Sequence, residues 1–489
     1  MALNLRTPGV YVVEDSTFPP SVVPVDTAVP AFVGYTQAAY YLGQPLLNTP
    51  VAVDSLLEFQ AIFGGSPGIG GFAVTLDEDG NVIGTVADPA TGANGRFRLA
   101  YALRNFYDNG GGRCYVVSIG TFAASSVASD IATAHLAGLG ALAREDEPTL
   151  IVMPDLSGMQ PADPTNATQV AAVRASYHGV LIQALNQCAT LGDRFLICDL
   201  WDGNVAGSAG IGAFRDGIGT NNLKYGAVYH PFIETTMAWN WNEATITVAQ
   251  IARRNDDGTL TRPSPYNGLS LTALASDPVN ANPTLYANVR NALTNFSVTL
   301  PPAAAVAGVY ASVDRARGVW KAPANVSLAS VNDLSVHIDQ DLNDGMNVDP
   351  TGKSINALRF FTGKGFLVWG ARTLAGNDDE WRYVAVRRFF IMVEESTRLA
   401  AQPFVFKPND AGTWVKVKAM IENFLTVQWR AGALVGTKPD DAFYVRVGLG
   451  TTMTAQDILE GRMIVEIGMA VVRPAEFIVL RFAQVMQQS

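Results

Sequence analysis

The spacing of apolar and polar positions changes repeatedly along this chain, and each change predicts an element. Ala31–Thr36 (AFVGYT) is a short apolar run behind a proline and predicts a strand. Asp54–Phe63 (DSLLEFQAIF) has helical spacing, with Leu57, Ala61 and Ile62 expected on one face. Phe72–Val86 reads as a hairpin turning at Asp79-Gly80. Phe97–Asp108 is an amphipathic helix stopped by Gly110-Gly111-Gly112, and Cys114–Ile119 (CYVVSI) follows as a buried strand. Thr149–Met153, Phe195–Leu200 and Lys224–Tyr229 repeat the strand pattern, with a helix over Val170–Ala189. Strands alternating with helices predict a mostly parallel sheet with right-handed crossovers.

The region 239–301 is rich in Asn, Thr and Pro and reads as a loop-heavy insertion on the surface. Beyond Gly318 the pattern returns. Asp378 and Asp379 precede a helix expected to run through Gln402. Asp410 is placed to cap a second helix over Gly412–Leu434, whose Trp414, Val417, Ile421 and Phe424 form an apolar stripe. Ala442–Val447 predicts a strand, Thr454 a capped short helix, and Met463–Val472 and Glu476–Phe482 two β-prone runs separated by Pro474. In the last run Phe477, Val479 and Arg481 alternate with Ile478, Leu480 and Phe482, so it is apolar on both faces and is an edge hazard unless a partner covers it. At the other end Pro8, Pro19, Pro20, Pro24 and Pro30 exclude a long helix or a central strand. The β-prone run Gly9–Glu14 sits in that arm on a tether. The division expected is an extended arm over 1–30, an α/β body over 31–355 and a C-terminal α+β domain over 356–489.

Composition narrows the chemistry. With 489 residues, 48% hydrophobic and 16% charged, the chain buries a large core and is not disordered. No apolar run reaches the ~18–20 residues of a membrane span, and MALNLRTPG lacks the plan of a secretory signal. Cys114, Cys188 and Cys198 are odd in number and have no CxxC spacing, which predicts buried free thiols. The net charge of −10 argues against a general nucleic-acid binder. Residues 351–489 nevertheless carry 17 Lys+Arg against 13 Asp+Glu, so this end is suited to an acidic protein partner.

The candidate catalytic and ligand motifs fail on spacing. Thr351–Ser354 (TGKS) has Gly345 two positions too far upstream for a phosphate loop. Asp77, Asp79 and Asn81 begin like a calcium loop, but Val82 stands where glycine must bend the chain; Asp339, Asp341 and Asn343 fail similarly at Asp344. The four histidines, His135, His178, His230 and His337, show no metal spacing, and there is no GxSxG elbow. Asp155, Ser157 and His178 supply the residue types of a hydrolase triad without its signature. No cofactor is expected. A hydrolase with an unrecognised site, or an adhesin or shell protein, is the competing reading.

Seven segments in order resemble the contractile tail sheath proteins of phages, tailocins and phage-tail-like injection particles. They are TPGVYVVED…PPSVVPVDTAVPAFVGYT, GGGRCYVVSIG, RGVWKAPAN, VWGARTL, WRYVAVRRFFIMVEES, FKPND and VRPAEFIV. The resemblance implies an outer α/β domain, subtilisin-like but without the protease's active residues, on a C-terminal α+β inner domain. It also implies a structural, non-enzymatic subunit, assembled in the cytoplasm into stacked hexameric rings around an inner tube, with baseplate and cap proteins and sheath paralogues as further partners. No membrane insertion and no nucleic acid are implied. On this resemblance Val10, Tyr11, Val12 and Val13, with Val465, Ile467, Phe477, Val479 and Arg481, are the expected inter-subunit strand residues. Arg382, Arg387, Arg388, Lys416 and Lys418 are the expected contacts to the tube.

Overall fold

The computed structural model describes residues 21–69, 72–87, 95–251, 253–254, 260–262, 265–294 and 296–480, except for the side chains of 85–87, 253–254 and 260–262. The arm run Gly9–Glu14 and the terminal Arg481 and Phe482 lie outside these residues. The chain divides into two compact units, one of 26–392 with 473–489, the other of 1–25 with 393–472.

The larger unit is built on a nine-stranded sheet. Its strands are β1 (Pro30–Thr36), β2 (Pro50–Val53), β3 (Cys114–Thr121), β4 (Leu150–Val152), β5 (Phe195–Asp199), β6 (Gly226–His230), β7 (Val326–Ser327), β8 (Asn356–Phe361) and β9 (Gly365–Val368). Their order is β7-β9-β8-β6-β5-β4-β1-β3-β2. The six central strands, β8 to β3 in that order, run parallel, and antiparallel strands close both edges. This is the expected α/β rhythm.

Successive residues of a strand point to opposite faces, so a sheet covered on both sides needs continuous apolar runs. Phe32 and Val116 enter one core with helices α1 (Leu99–Asp108) and α4 (Ala303–Arg317). Val33 and Val117 enter the other with α2 (Ala128–Leu142) and α3 (Ala167–Leu191). Gly34 is required where β1 passes Asp155, because a Cβ there would lie 2.5 Å from the carboxylate.

Two expectations are corrected in this unit. The helix Leu56–Phe63 buries Phe59 and Phe63, while Leu57 is 77% exposed, so the buried face is not the one containing Leu57. The region 239–301, among its described residues, is not loop-heavy. Its strand Thr247–Gln250 adds in parallel to the 72–87 hairpin, and its helices Leu271–Ser276 and Pro283–Thr294 complete a small core with Phe72, Val74, Leu76 and Val248. Two of its polar residues are caps: Ser270 accepts from the Ala273 N–H at 3.1 Å and Asn282 from the Leu285 N–H at 3.0 Å.

The smaller unit carries helix α6 (Ala411–Arg430) and a two-stranded antiparallel ribbon, β10 (Phe443–Val447) with β11 (Val465–Met469). Asp410 caps α6 as expected, accepting from the Thr413 N–H at 2.9 Å, and the helix stops at Arg430, short of Leu434. Thr454 and Asp457 form a reciprocal capping box on Ala455–Leu459. Helix α5 (Val384–Ala401) contains the unit boundary after Met392. It starts later than its sequence suggests. Asp378 caps a turn through the Glu380 and Trp381 N–H groups, and Tyr383 bridges to Arg372 before the helix begins.

Candidate functional site

The chemistry-bearing residues singled out by type are structural. Asp155 sits at the N-terminus of α1 and accepts from the Tyr35, Arg98 and Leu99 N–H groups at 2.6, 2.5 and 2.9 Å. Ser157 accepts from Arg98 Nη1 at 2.8 Å and donates to the Pro154 carbonyl. No hydrogen bond joins His178 to either. Lys353 of the TGKS segment is buried and donates to the Arg215 carbonyl, so it is not poised over a phosphate site. Asp77 organises the hairpin turn through the Asp79 and Asn81 N–H groups, and Asp339 caps Gln340–Asn347. Among the described residues no group of His, Cys, Asp and Glu is placed to hold a metal, and no helix is long and apolar enough to cross a membrane. The three cysteines are buried and free.

What stands out instead is unfinished β-structure. In the ribbon, Tyr444 lies across from Gly468 and covers it; a Cβ on Gly468 would meet the ring at 2.2 Å. The Tyr444 hydroxyl donates to Glu466 at 2.9 Å, and Arg446 stacks 4.5 Å from the ring centroid. Val445 is buried, but Val465 and Ile467 on β11 are only half-buried. The chain after β11 is held by Ala433–Val435, with Val435 N–H to the Ala470 carbonyl at 2.7 Å and Val472 N–H to the Ala433 carbonyl at 3.0 Å. Among the described residues no strand pairs with the outer edge of β10 or with the outer edge of β11 over Val465–Met469. A two-stranded ribbon is marginal by itself, and open edges are templates for a further strand.

The second unfinished element is the C-terminal tail. Phe477, Ile478, Val479 and Leu480 are each 70% exposed or more, and no strand is formed over them. Four adjacent apolar side chains alternate sides when extended, so covering them requires burial on both faces. Val10–Val13 and Arg481 lie outside the described residues.

The five basic residues expected at an inner tube do not behave alike. Arg387 and Arg388 are corrected: both are buried in the larger unit. Arg388 pairs with Asp314 at 2.5 Å, donates to the Thr27 carbonyl at 2.8 Å and lies 4.6 Å from the Tyr310 ring centroid. Arg387 stacks between Tyr225 and Trp381 at 4.7 and 4.8 Å. Arg382 is half-buried and pairs with Asp379. Lys416 is exposed, and Lys418 lies 3.7 Å from Glu422 one turn further along α6.

Sequence reasoning missed the residue that holds the tail. Arg372, in the GARTL segment, binds the Glu476 carboxylate through Nε and Nη2, the shortest contact being 2.5 Å. The signal available was Glu476, an acid opening an apolar run.

Residues 376–484 match the family model of the phage tail sheath C-terminal domain. The structure of the anti-feeding prophage helical sheath in its contracted state is 30% identical over 98% of this chain and 99% of that one, with a TM-score of 0.62. A chain of the anti-feeding prophage baseplate is 31% identical over 99% of this chain and 100% of that one, with a TM-score of 0.61. The tail sheath protein of Vibrio phage KVP40 is 28% identical over 130 residues, 26% of this chain; the match spans 19% of that protein's length. The fold is therefore that of a contractile-sheath subunit. The chain belongs to the contractile tail sheath family.

Proposed function

We propose that the chain is a structural, non-enzymatic subunit that polymerises as stacked hexameric rings around an inner tube and shortens to drive the tube through a target envelope. Its larger α/β unit takes the outer, subtilisin-like position and the C-terminal α+β part faces the tube. Baseplate and cap proteins and sheath paralogues complete the particle, which assembles in the cytoplasm as part of a phage tail or tail-like device. The observation that carries this reading is the combination of an open β10–β11 ribbon with an apolar tail that nothing among the described residues covers. A strand lent by a neighbour satisfies both, and backbone hydrogen bonds across subunits persist while domains rotate if the tether is flexible. Phe477 and Val479, with the arm run Val10–Val13, are the lent residues; Val465 and Ile467 receive them. Burying the four tail side chains contributes about 1.5–3 kcal/mol each. Head-to-tail contacts that do not close on themselves generate a helix, and contraction draws on a metastable lattice.

Removing residues 477–489 tests this. The truncated chain should fold, with an unchanged thermal transition, and remain dispersed by sedimentation and negative-stain microscopy where the full chain forms sleeves. Normal sleeves from the truncation rule the lent strand out.

Lys416, Lys418 and Arg382 are the basic residues left with exposed charge for the tube. Lys416→Glu with Lys418→Glu should weaken co-sedimentation with the tube protein, most visibly at low salt. Unchanged co-assembly across salt concentrations contradicts that role.

A further inference from the structure

The chain passes from the smaller unit back to the larger between Val472 and Arg473, and only four residues later the exposed apolar run begins. Between these points a single side chain is tied down. Glu476 receives Arg372 Nε at 2.9 and 3.1 Å, Arg372 Nη2 at 2.5 Å and the Tyr383 hydroxyl at 3.3 Å. The Arg372 side chain is 4% exposed and that of Glu476 19%. A guanidinium offering two N–H groups to one carboxylate fixes direction as well as distance, which a lysine does not.

The Arg372 end of this contact is held by groups other than the tail. Its backbone N–H donates to Asn356 Oδ1 at 2.8 Å, and its carbonyl accepts from Asn356 Nδ2 at 2.8 Å; the same amide donates to the Val228 carbonyl at 3.1 Å. Asn356 belongs to β8 and Val228 to β6, so Arg372 is anchored to the central sheet. Its Nη1 donates to the Asn347 carbonyl at 3.2 Å. Gly370 allows the chain to pass this close, because a Cβ there would meet Asn356 Oδ1 at 2.6 Å. Tyr383, which supplies the remaining donor, is bridged to Arg372 across the strand-like turn before α5. Every donor to Glu476 is thus oriented by backbone contacts within the larger unit.

We infer that Arg372, with Tyr383, is a positioning residue for assembly: it grips Glu476 and sets where, and in which direction, the apolar strand Phe477–Leu480 leaves its own subunit for a neighbour. The inference rests on the reading that this tail is lent. A strand leaving an unfixed base samples many directions and pays their entropy when it docks; a clamped base has already paid it. The clamp also keeps tension on the docked strand from peeling the chain back toward Val472.

The test uses the full-length chain with a spin label at Ala475→Cys, an exposed position beside the clamp; the native cysteines are buried. In this background Glu476→Gln keeps shape and one acceptor, Glu476→Ala removes the grip, and Arg372→Lys keeps charge without the two-pronged contact. The label should be slow in the parent, fast in Glu476→Ala and intermediate in the other two. The concentration needed to form sleeves should rise about ten- to a hundredfold for Glu476→Ala, and less for the conservative variants, as expected for losing a charged hydrogen-bonded contact. A slow label together with parental sleeve formation in Glu476→Ala overturns the inference. The chain lacking 477–489 runs alongside: if it assembles normally, the lent strand is wrong, whereas if it fails to assemble while Glu476→Ala behaves as the parent, only the clamp is wrong. Parental melting of Glu476→Gln guards against general misfolding as the cause.

Discussion

His135, His178 and His230 show what burial does to single residues here. Burial holds each at about 4, well below the usual imidazole value; at His178 the nearby Arg174 adds to the effect. The unfolded chain therefore takes up these protons near pH 6.5 and the folded chain only near 4, so their stabilising neutrality is present above 6.5 and lost as pH falls through that window. Asp199 behaves oppositely. Burial raises it to about 7 against the Ala303 N–H and Arg98, which favour its charge, so the stability tied to its neutral form is lost as pH rises toward 7. The destabilisation caused by His135→Leu should accordingly shrink by about 2–3 kcal/mol between pH 7 and pH 4.5, while that of Asp199→Asn should shrink as pH rises from 4 to 8. Denaturant titrations of each variant against the parent check this, and costs that do not change with pH contradict it. At this scale the sequence was least legible. The run VAVRRFF carries two arginines that look like a basic face, yet Arg388 meets Asp314, 74 positions away, and Arg387 meets two aromatic rings. Nothing in local spacing marks a cation whose partner is distant in sequence. Leu57 is the converse: its apolar character suggested burial, and the helix rotates Phe59 and Phe63 inward because two aromatic rings cover more of the core than one leucine.

Elements were read more surely than their ends. Several central strands carry continuous apolar runs, LIV in β4 and FLIC in β5 among them, which is the mark of a sheet covered on both faces. The caps at Asp410 and Thr454 were legible because a side chain must satisfy N–H groups two or three positions ahead, a rule local enough to read from sequence. The small lobe of 239–294 was misread because Ser270 and Asn282 cap helices, and because its strand joins a hairpin more than 170 positions earlier. Glu476–Phe482 had the sequence of a strand and forms none over the described residues. Its apolar side chains Phe477–Leu480 find no cover among the described residues. A strong pattern without its element is what a strand meant for another sheet leaves behind.

For the whole molecule, the number of open ends matters more than any single site. The larger unit packs its main sheet between two cores and adds a third, smaller one, whereas the smaller unit presents a two-stranded ribbon with open edges. The proline-punctuated arm at one end and the β-prone runs at the other point toward assembly, and family membership agrees with a sheath subunit. The open edges of the ribbon were beyond a sequence alone, since they depend on which strands the fold leaves unpaired. The most direct measurement is a cryo-electron microscopy reconstruction of sleeves formed by the full-length chain, at a resolution that traces the backbone of residues 473–480. The account predicts that Phe477–Leu480 lie hydrogen-bonded along an open edge of the Phe443–Val447 and Val465–Met469 ribbon of an adjacent subunit, with Glu476 still held by Arg372 of its own. A tail folded onto its own subunit, with that ribbon left two-stranded in the sleeve, contradicts it.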